Sequence, residues 1–300
     1  MMPCAFDPGA GAGMRFAYST NAFTRHALPA AIDAIADLGF AGVEILCDRP
    51  HWFATEVSRA DAEKIAAQIA RRGLAVSNLN ANTANGYFDP APPENVFEPA
   101  LSNADPALRR WRQDYTRAAI ELARIVGAPA VSITTGRPRP GCLPQQAFDH
   151  LVESLKPLCA AAERAGVRIG IEYEPGLLVE RAEEVRAVLD AVGSDALGVN
   201  LDIGHSWLDG ENPEDAVALL AGRIWNVHVE DIKGMKHYHL VPGDGELPFE
   251  RYFAALRQAH YDGFLTVELY TCLDAPADAG RRALAYLSKL TPTHRAERSA

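Results

Sequence analysis

The sequence predicts an α/β protein built as one (β/α)8 barrel, a TIM barrel in a single domain. Three observations carry the prediction. Eight short runs rich in Val, Ile and Leu alternate with eight segments of helical periodicity along 300 residues. Such alternation builds parallel strands joined by crossover helices. No composition break divides the chain, and eight units in this length fit one closed barrel. No GxGxxG follows the first apolar run, which argues against a doubly wound dinucleotide fold.

The elements follow in order. Arg15–Ser19 reads as the first strand, and Leu28–Leu38 as a helix stopped by Gly39. Gly42–Cys47 is the second strand. Ser58 opens the next helix as its cap, with Asp61 in the first turn, and Gly73 closes it. Ala75–Asn82 is the third strand. Residues 83–105 form a long irregular stretch, and five prolines fall between Pro90 and Pro106, the last just past its end. A loop of that length inside a compact domain usually has a task, here a lid over a site. Helix 107–126, strand 130–135, helix 145–165, strand 168–173 and helix 182–192 follow. Strand 197–203, helix 213–220, strand 224–230, helix 249–259, strand 263–270 and helix 278–290 complete the barrel. Residues 1–13 and 291–300 read as flexible tails around a barrel of residues 14–290.

Composition narrows the function classes. Net charge is −10, which disfavours a phosphate-backbone partner and so a nucleic-acid binder. No apolar run approaches a membrane span. The five cysteines, Cys4, Cys47, Cys142, Cys159 and Cys272, are odd in number and form no CxxC. That fits a reducing cytoplasm better than a disulfide framework.

In a (β/α)8 barrel, sites form at the C-terminal ends of the strands. Those ends are polar here. Asn78, Asn80 and Asn82 close the third strand, Glu172 and Glu174 the fifth, Asn200 and Asp202 the sixth. Asn226, His228 and Glu230 close the seventh, and Glu268 and Tyr270 the eighth; Glu44 lies mid-strand in the second. Side chains alternate along a strand, so each set shares one face. A carboxylate turned outward would be buried under a helix at high cost, which favours the barrel interior. A glutamate of the fifth strand, Asp202, His228 and Glu268 can then converge. Three carboxylates together repel and resist ionising unless a cation joins them. Oxygen-rich donors with one imidazole favour Mn²⁺ or Mg²⁺, with Co²⁺ or Zn²⁺ as alternatives. From these residues alone, Glu172 and Glu174 stay equal, and separate interior salt bridges remain a competing reading.

Five segments carry a resemblance: GIEYEPG at 170–176, NLDIGH at 200–205, VHVED at 227–231, HLVPGDGELPF at 239–249 and YDGFLTVE at 261–268. In this order and spacing, the chain resembles the sugar phosphate isomerase/epimerase family, the xylose isomerase-like TIM barrels. The resemblance implies one divalent ion held by Glu172, Asp202, His228 and Glu268, with the E-x-x-P-G pattern favouring Glu172 over Glu174. It implies His205 as a contact to substrate oxygen and His239 as a rim residue over the pocket, while His237 reads as solvated. Glu174, Asn80 and Trp207 join His239 as candidate substrate contacts. Trp52, Phe53, Tyr87, Phe88 and Tyr270 are further candidates for apolar walls.

The implied activity belongs to carbohydrate metabolism: a metal-dependent isomerase or epimerase of a ketose, sugar or polyol derivative. Glu172 and Glu268 would exchange a proton on opposite faces of the carbon beside a carbonyl, through an enediolate-like intermediate. The rival on the same barrel is a lyase, a dehydratase of an inosose- or dehydroshikimate-like substrate. An apurinic endonuclease branch holds three zinc ions and uses extra histidines after earlier strands. Here Asn78, Asn80, Asn82, Thr134 and Thr135 stand in those places. A non-catalytic metabolite binder is the remaining alternative. Arg137, Arg139, Lys233 and Lys236 are candidates for a phosphate site, and each reads more simply as solvated surface. A homo-oligomer is compatible with the sequence.

Overall fold

The computed structural model describes residues 14–291 of the chain. The tails expected at 1–13 and 291–300 lie outside the described residues, Thr291 excepted. Eight strands close a barrel. They are β1 (Arg15–Ser19), β2 (Gly42–Leu46), β3 (Ala75–Asn80), β4 (Ala130–Ile133), β5 (Arg168–Ile171), β6 (Leu197–Asp202), β7 (Ile224–Val229) and, last in the chain, β10 (Phe264–Val267). Every neighbouring pair runs parallel, and β1 pairs β10 to close the ring. Between β7 and β10 lies a separate antiparallel pair, β8 (Asp231–Lys233) and β9 (Lys236–Leu240).

The helices are α1 (Leu28–Asp37), α2 (Arg59–Arg71), α3 (Pro106–Val126), α4 (Pro144–Ala165), α5 (Ala182–Val192), α6 (Ile203–Leu208), α7 (Pro213–Leu219), α8 (Phe249–Gln258) and α9 (Pro276–Leu290). Their ends are set locally. The Ser58 side chain accepts from Asp61 N at 3.1 Å, and Asn212 accepts from Glu214 N and Asp215 N at 3.1 and 3.2 Å. Each bond satisfies an amide that the first turn leaves without a partner. Gly166 ends α4 at φ 66°, a conformation that costs any residue with a Cβ.

Two layers divide the work. Val43, Ile45, Leu79, Val131, Ile133, Ile169, Ile171, Val199, Leu201, Val227, Val229, Leu265 and Val267 are fully buried in the apolar core. Each such burial contributes roughly 1.5–3 kcal/mol. The alternate positions are polar and bonded to one another inside the barrel. Thr266 donates to Asn226 at 2.9 Å, Asn226 donates to Asn200 at 2.8 Å, and Asn78 donates to Ser132 at 2.9 Å. A net hydrogen bond contributes only about 1 kcal/mol, so the apolar layer stabilises the fold and the interior serves to hold polar groups in place.

The long segment after β3 is pinned at several points. Arg112, buried on α3, donates to the carbonyls of Ala81 and Asn82 at 2.5 and 3.2 Å. Asp48 accepts from Thr83 Oγ1 and Asn85 N at 2.7 Å and from Gly86 N at 3.0 Å. After β7, Asp231 accepts from Gly243, Gly245 and Leu247 backbone amides at 2.8, 2.9 and 3.0 Å. It thereby folds the PGDG turn against the β8–β9 hairpin.

Candidate active site at the C-terminal end of the barrel

A cavity of about 210 Å³ opens at the C-terminal ends of the strands. Glu172, Glu174, His205, His239, Glu268 and Asn80 line it, all expected at a site from the sequence. Asn82, Thr83, Asn85, Asn95 and Phe97 of the long segment add a wall, and Tyr270 stands at the rim. Trp207 is not among the lining residues. It stands two residues past His205 on α6, so the helix turns it onto the apolar core. Arg137 and Arg139 do not line the cavity either; Arg139 pairs with Glu98 at 3.1 Å.

Beneath the cavity, ligand atoms of Glu172, Asp202, His228 and Glu268 all lie within 4.8 Å of one another, and all four residues are buried. Glu174 is not part of that group. His228 is the hub. Its Nδ1 lies 3.0 Å from Glu172 Oε2, 3.6 Å from Glu268 Oε2 and 3.9 Å from Asp202 Oδ2. Its Nε2 lies 2.7 Å from Glu44 Oε2. A carboxylate only accepts, so Nε2 carries a proton toward Glu44, while Nδ1, facing three carboxylates, carries a second proton unless a cation takes that place. Asn78 and Asn80 donate to Glu44 at 2.8 and 3.3 Å and hold it there. Asn21 and Asn80 both donate to Glu268 Oε1 at 2.9 Å, which leaves Oε2 for the cluster. Asn200 donates to Glu172.

The electrostatics show what this group lacks. Burial disfavours a charged His228, yet Glu44, Glu268 and Glu172 outweigh it and hold the imidazole well above its usual range. Burial, then Glu172 and Glu44, pushes Glu268 far up despite His228. Glu230, behind Asp202, is pushed up by burial and by Asp202, and both its oxygens lack a donor. Asp202 Oδ2 is likewise buried without one. Protons would have to be spread over the group to neutralise it. A divalent cation does the same with the carboxylates ionised and the imidazole neutral, and the donor set fits one.

Around the cluster, Glu174 is pushed up to about 7, chiefly by burial. His205 Nδ1 donates to the Tyr173 carbonyl at 3.1 Å. Its backbone amide donates to Asp202 Oδ1 at 2.9 Å, so Asp202 also caps α6. His237, expected in solvent, lines the cavity with its side chain 30% exposed. The β8–β9 hairpin returns it over the site, and no hairpin was expected there. Glu44 and Asn21 were also not read as site residues. Glu44 carried a signal, a lone acid in an apolar strand; Asn21 sits on a single 3-10 turn (Thr20–Phe23) with none.

The fold and this carboxylate–histidine cluster define a class, and the sequence comparison agrees with it. The chain belongs to the xylose isomerase-like TIM barrel family, whose profile matches residues 32–290. A fructoselysine 3-epimerase of Shigella flexneri is 27% identical over 262 residues, covering 86% of this chain and 91% of that protein. An inosose dehydratase of Clostridium perfringens is 27% identical over 143 residues, 42% of this chain and 48% of that protein. Among solved structures, a D-tagatose 3-epimerase-like protein superposes with TM-score 0.77 at 22% identity, over 93% of this chain and 98% of that one. The IOLI protein, solved with a zinc atom, superposes with TM-score 0.77 at 17% identity, over 92% and 98%. At those identities the two structures speak to the fold.

Proposed function

We propose that this chain is a sugar epimerase or isomerase that moves a proton at the carbon beside the carbonyl of a ketose or related polyol derivative. The observation that carries the reading is the convergence of Glu172, Asp202, His228 and Glu268 beneath a cavity lined by Asn, Glu and His side chains. The near full-length likeness to a 3-epimerase supports it. One divalent ion would be held by those four residues, Mn²⁺ or Mg²⁺ in preference to Co²⁺ or Zn²⁺. When bound, the ion supplies a positive centre that acidifies the adjacent carbon–hydrogen bond.

The protein's residues do the rest. Glu172 follows β5 and Glu268 follows β10, with β6 and β7 between them in the ring. A substrate carbon between the two carboxylates meets one on each face. One removes the proton, and the other returns one to the opposite face, passing through an enediolate. Asn21 and Asn80 fix Glu268 by one oxygen, so the other keeps its aim. Glu44 fixes the His228 ring. His205, Glu174 and His239 stand where hydroxyl groups of the substrate would lie. The widely spaced cysteines support a cytoplasmic setting, and a homo-oligomer forms part of the same reading.

A second reading has its own observation, the partial likeness to inosose dehydratases. Loss of a hydroxyl beside the deprotonated carbon would use the same two glutamates. Mn²⁺ titration of the chelator-stripped protein tests the metal half of the proposal. We expect one Mn²⁺ per chain, lost in Asp202→Ala and His228→Ala. No Mn²⁺ or Mg²⁺ binding by a folded wild-type chain would contradict it.

A further inference from the structure

We infer that the mouth at the N-terminal end of the barrel binds a small, flat organic dianion, one with two carboxylate or phosphate groups, held between Arg15 and Arg168. The inference does not rest on the proton-transfer reading, because this mouth lies at the opposite end of the barrel from the carboxylate cluster. A cavity of about 1040 Å³ opens there. The first residues of β1, β3, β5, β7 and β10 line it, with residues at or just past the ends of α3, α4 and α8. Small-molecule sites measure about 300–1,000 Å³, so the space is ample for one.

Two cations are built into this mouth. The Arg15 guanidinium lies over the Phe264 ring at 4.1 Å, and that of Arg168 over the Trp225 ring at 4.2 Å. β1 and β5 stand opposite each other in the closed ring of strands, so the two arginines face one another across the mouth. A glycine gives each ring its room. A Cβ on Gly42 would lie 2.6 Å from the Phe264 ring, and one on Gly198 would lie 2.2 Å from Trp225 Nε1. That Nε1 is buried without an acceptor, which costs stability and keeps the indole against Gly198 and under Arg168. Arginines that merely face solvent need neither a ring beneath them nor a glycine to seat it.

The charges of this pair are not used within the fold. Among the described residues neither guanidinium has an ion pair or a side-chain hydrogen bond, whereas Arg124 in the same wall donates to Glu121 at 2.9 Å. Asp262 is the one acid among the lining residues, in a chain of net charge −10. Helix C-termini attract cations, yet neither arginine donates to the carbonyls on which α3, α4 and α8 end. A guanidinium laid on an aromatic face keeps its edge N–H groups free, and that edge takes a carboxylate or phosphate by paired hydrogen bonds. Ser77, buried and lining the same cavity, adds a hydroxyl. Two such forks facing each other select a molecule with an anionic group at each end. The two rings and the Ala and Gly walls between them favour a flat, apolar body.

The test is calorimetric titration of the full chain with naphthalene-2,6-dicarboxylate, set beside its one-carboxylate counterpart, 2-naphthoate. We expect one dicarboxylate per chain with a Kd below about 1 mM, weakened by added salt. The naphthoate should bind at least about fivefold more weakly, since it meets one fork only. Arg15→Gln and Arg168→Gln should each bring the dicarboxylate down to the naphthoate level. Arg168 is exposed and Arg15 half-buried, and glutamine keeps part of the stem over the ring, so both variants fold, which circular dichroism checks. No saturable binding by wild type, or binding undiminished in both folded variants, would overturn the inference. Equal binding of the two probes would overturn the two-ended grip. Sedimentation covers the other occupant: a wild-type dimer that binds no dicarboxylate and that Arg168→Glu splits into monomers would assign the mouth to a second copy of the chain, and so overturn it as well.

Discussion

Asp209 lies just past α6, where burial first, and then Glu180 and Glu211, push its carboxyl up to about 6; Arg181 offsets only part. In the unfolded chain the same group titrates near its ordinary value of 3.8. The folded state therefore holds a proton that the unfolded state has already lost. Stability is fully present below that ordinary value and falls as pH rises through about 6. Asp209→Asn removes the titration. We predict a higher Tm than wild type at pH 7.5 and a difference that vanishes toward pH 4. Solvent screening at this part-exposed position keeps the gain to about 1 kcal/mol or less. Equal differences at both pH values would contradict the assignment. At this same scale, Asp202, His228 and Glu268 were legible because they are polar residues at the ends of apolar strands. The choice of Glu172 over Glu174 was not legible from alternation, since both share a face. The E-x-x-P-G resemblance favoured Glu172; the structure groups Glu172 with Asp202, His228 and Glu268, and it adds the contact of Glu44 with His228.

The barrel strands and long helices follow from periodicity, and the structure places them within a few residues of the expected bounds. Two short elements escaped. The β8–β9 hairpin turns at Gly234 and Met235, both at positive φ, 60° and 52°. Methionine is a poor residue for that conformation, so the usual Asn-Gly or Asp-Gly signal is absent. α6 spans only six residues, too few to show a helical period. Yet it carries His205, and its second residue is fixed by packing. A Cβ on Gly204 would lie 1.7 Å from Glu230 Oε1. Gly204→Ala must displace Glu230 or the start of α6. We predict a loss of about 1–3 kcal/mol, read as a lower urea midpoint at unchanged slope. An unchanged midpoint would show that the Glu230 side chain moves freely, against the tight stack behind Asp202.

As a whole, the molecule separates stability from chemistry by layer. The ring of apolar strand faces under the helices holds the barrel, and the interior is left free to gather polar groups at one end. Sequence alternation made that division readable. The cavity itself was less readable, because its walls come from residues 82–97, from the hairpin and from single turns without a period. Among the described residues no helix is long and apolar enough to cross a membrane. The central claim is that Glu172 and Glu268 trade a proton with the carbon beside a carbonyl. It is tested most directly by incubating the Mn²⁺-loaded protein with a panel of ketoses in D₂O and following deuterium at that carbon. We predict solvent deuterium in the epimerised product, with the rate falling at least about 10²-fold in Glu172→Gln and in Glu268→Gln. Epimer formed without deuterium, or exchange undiminished in both variants, would contradict the account.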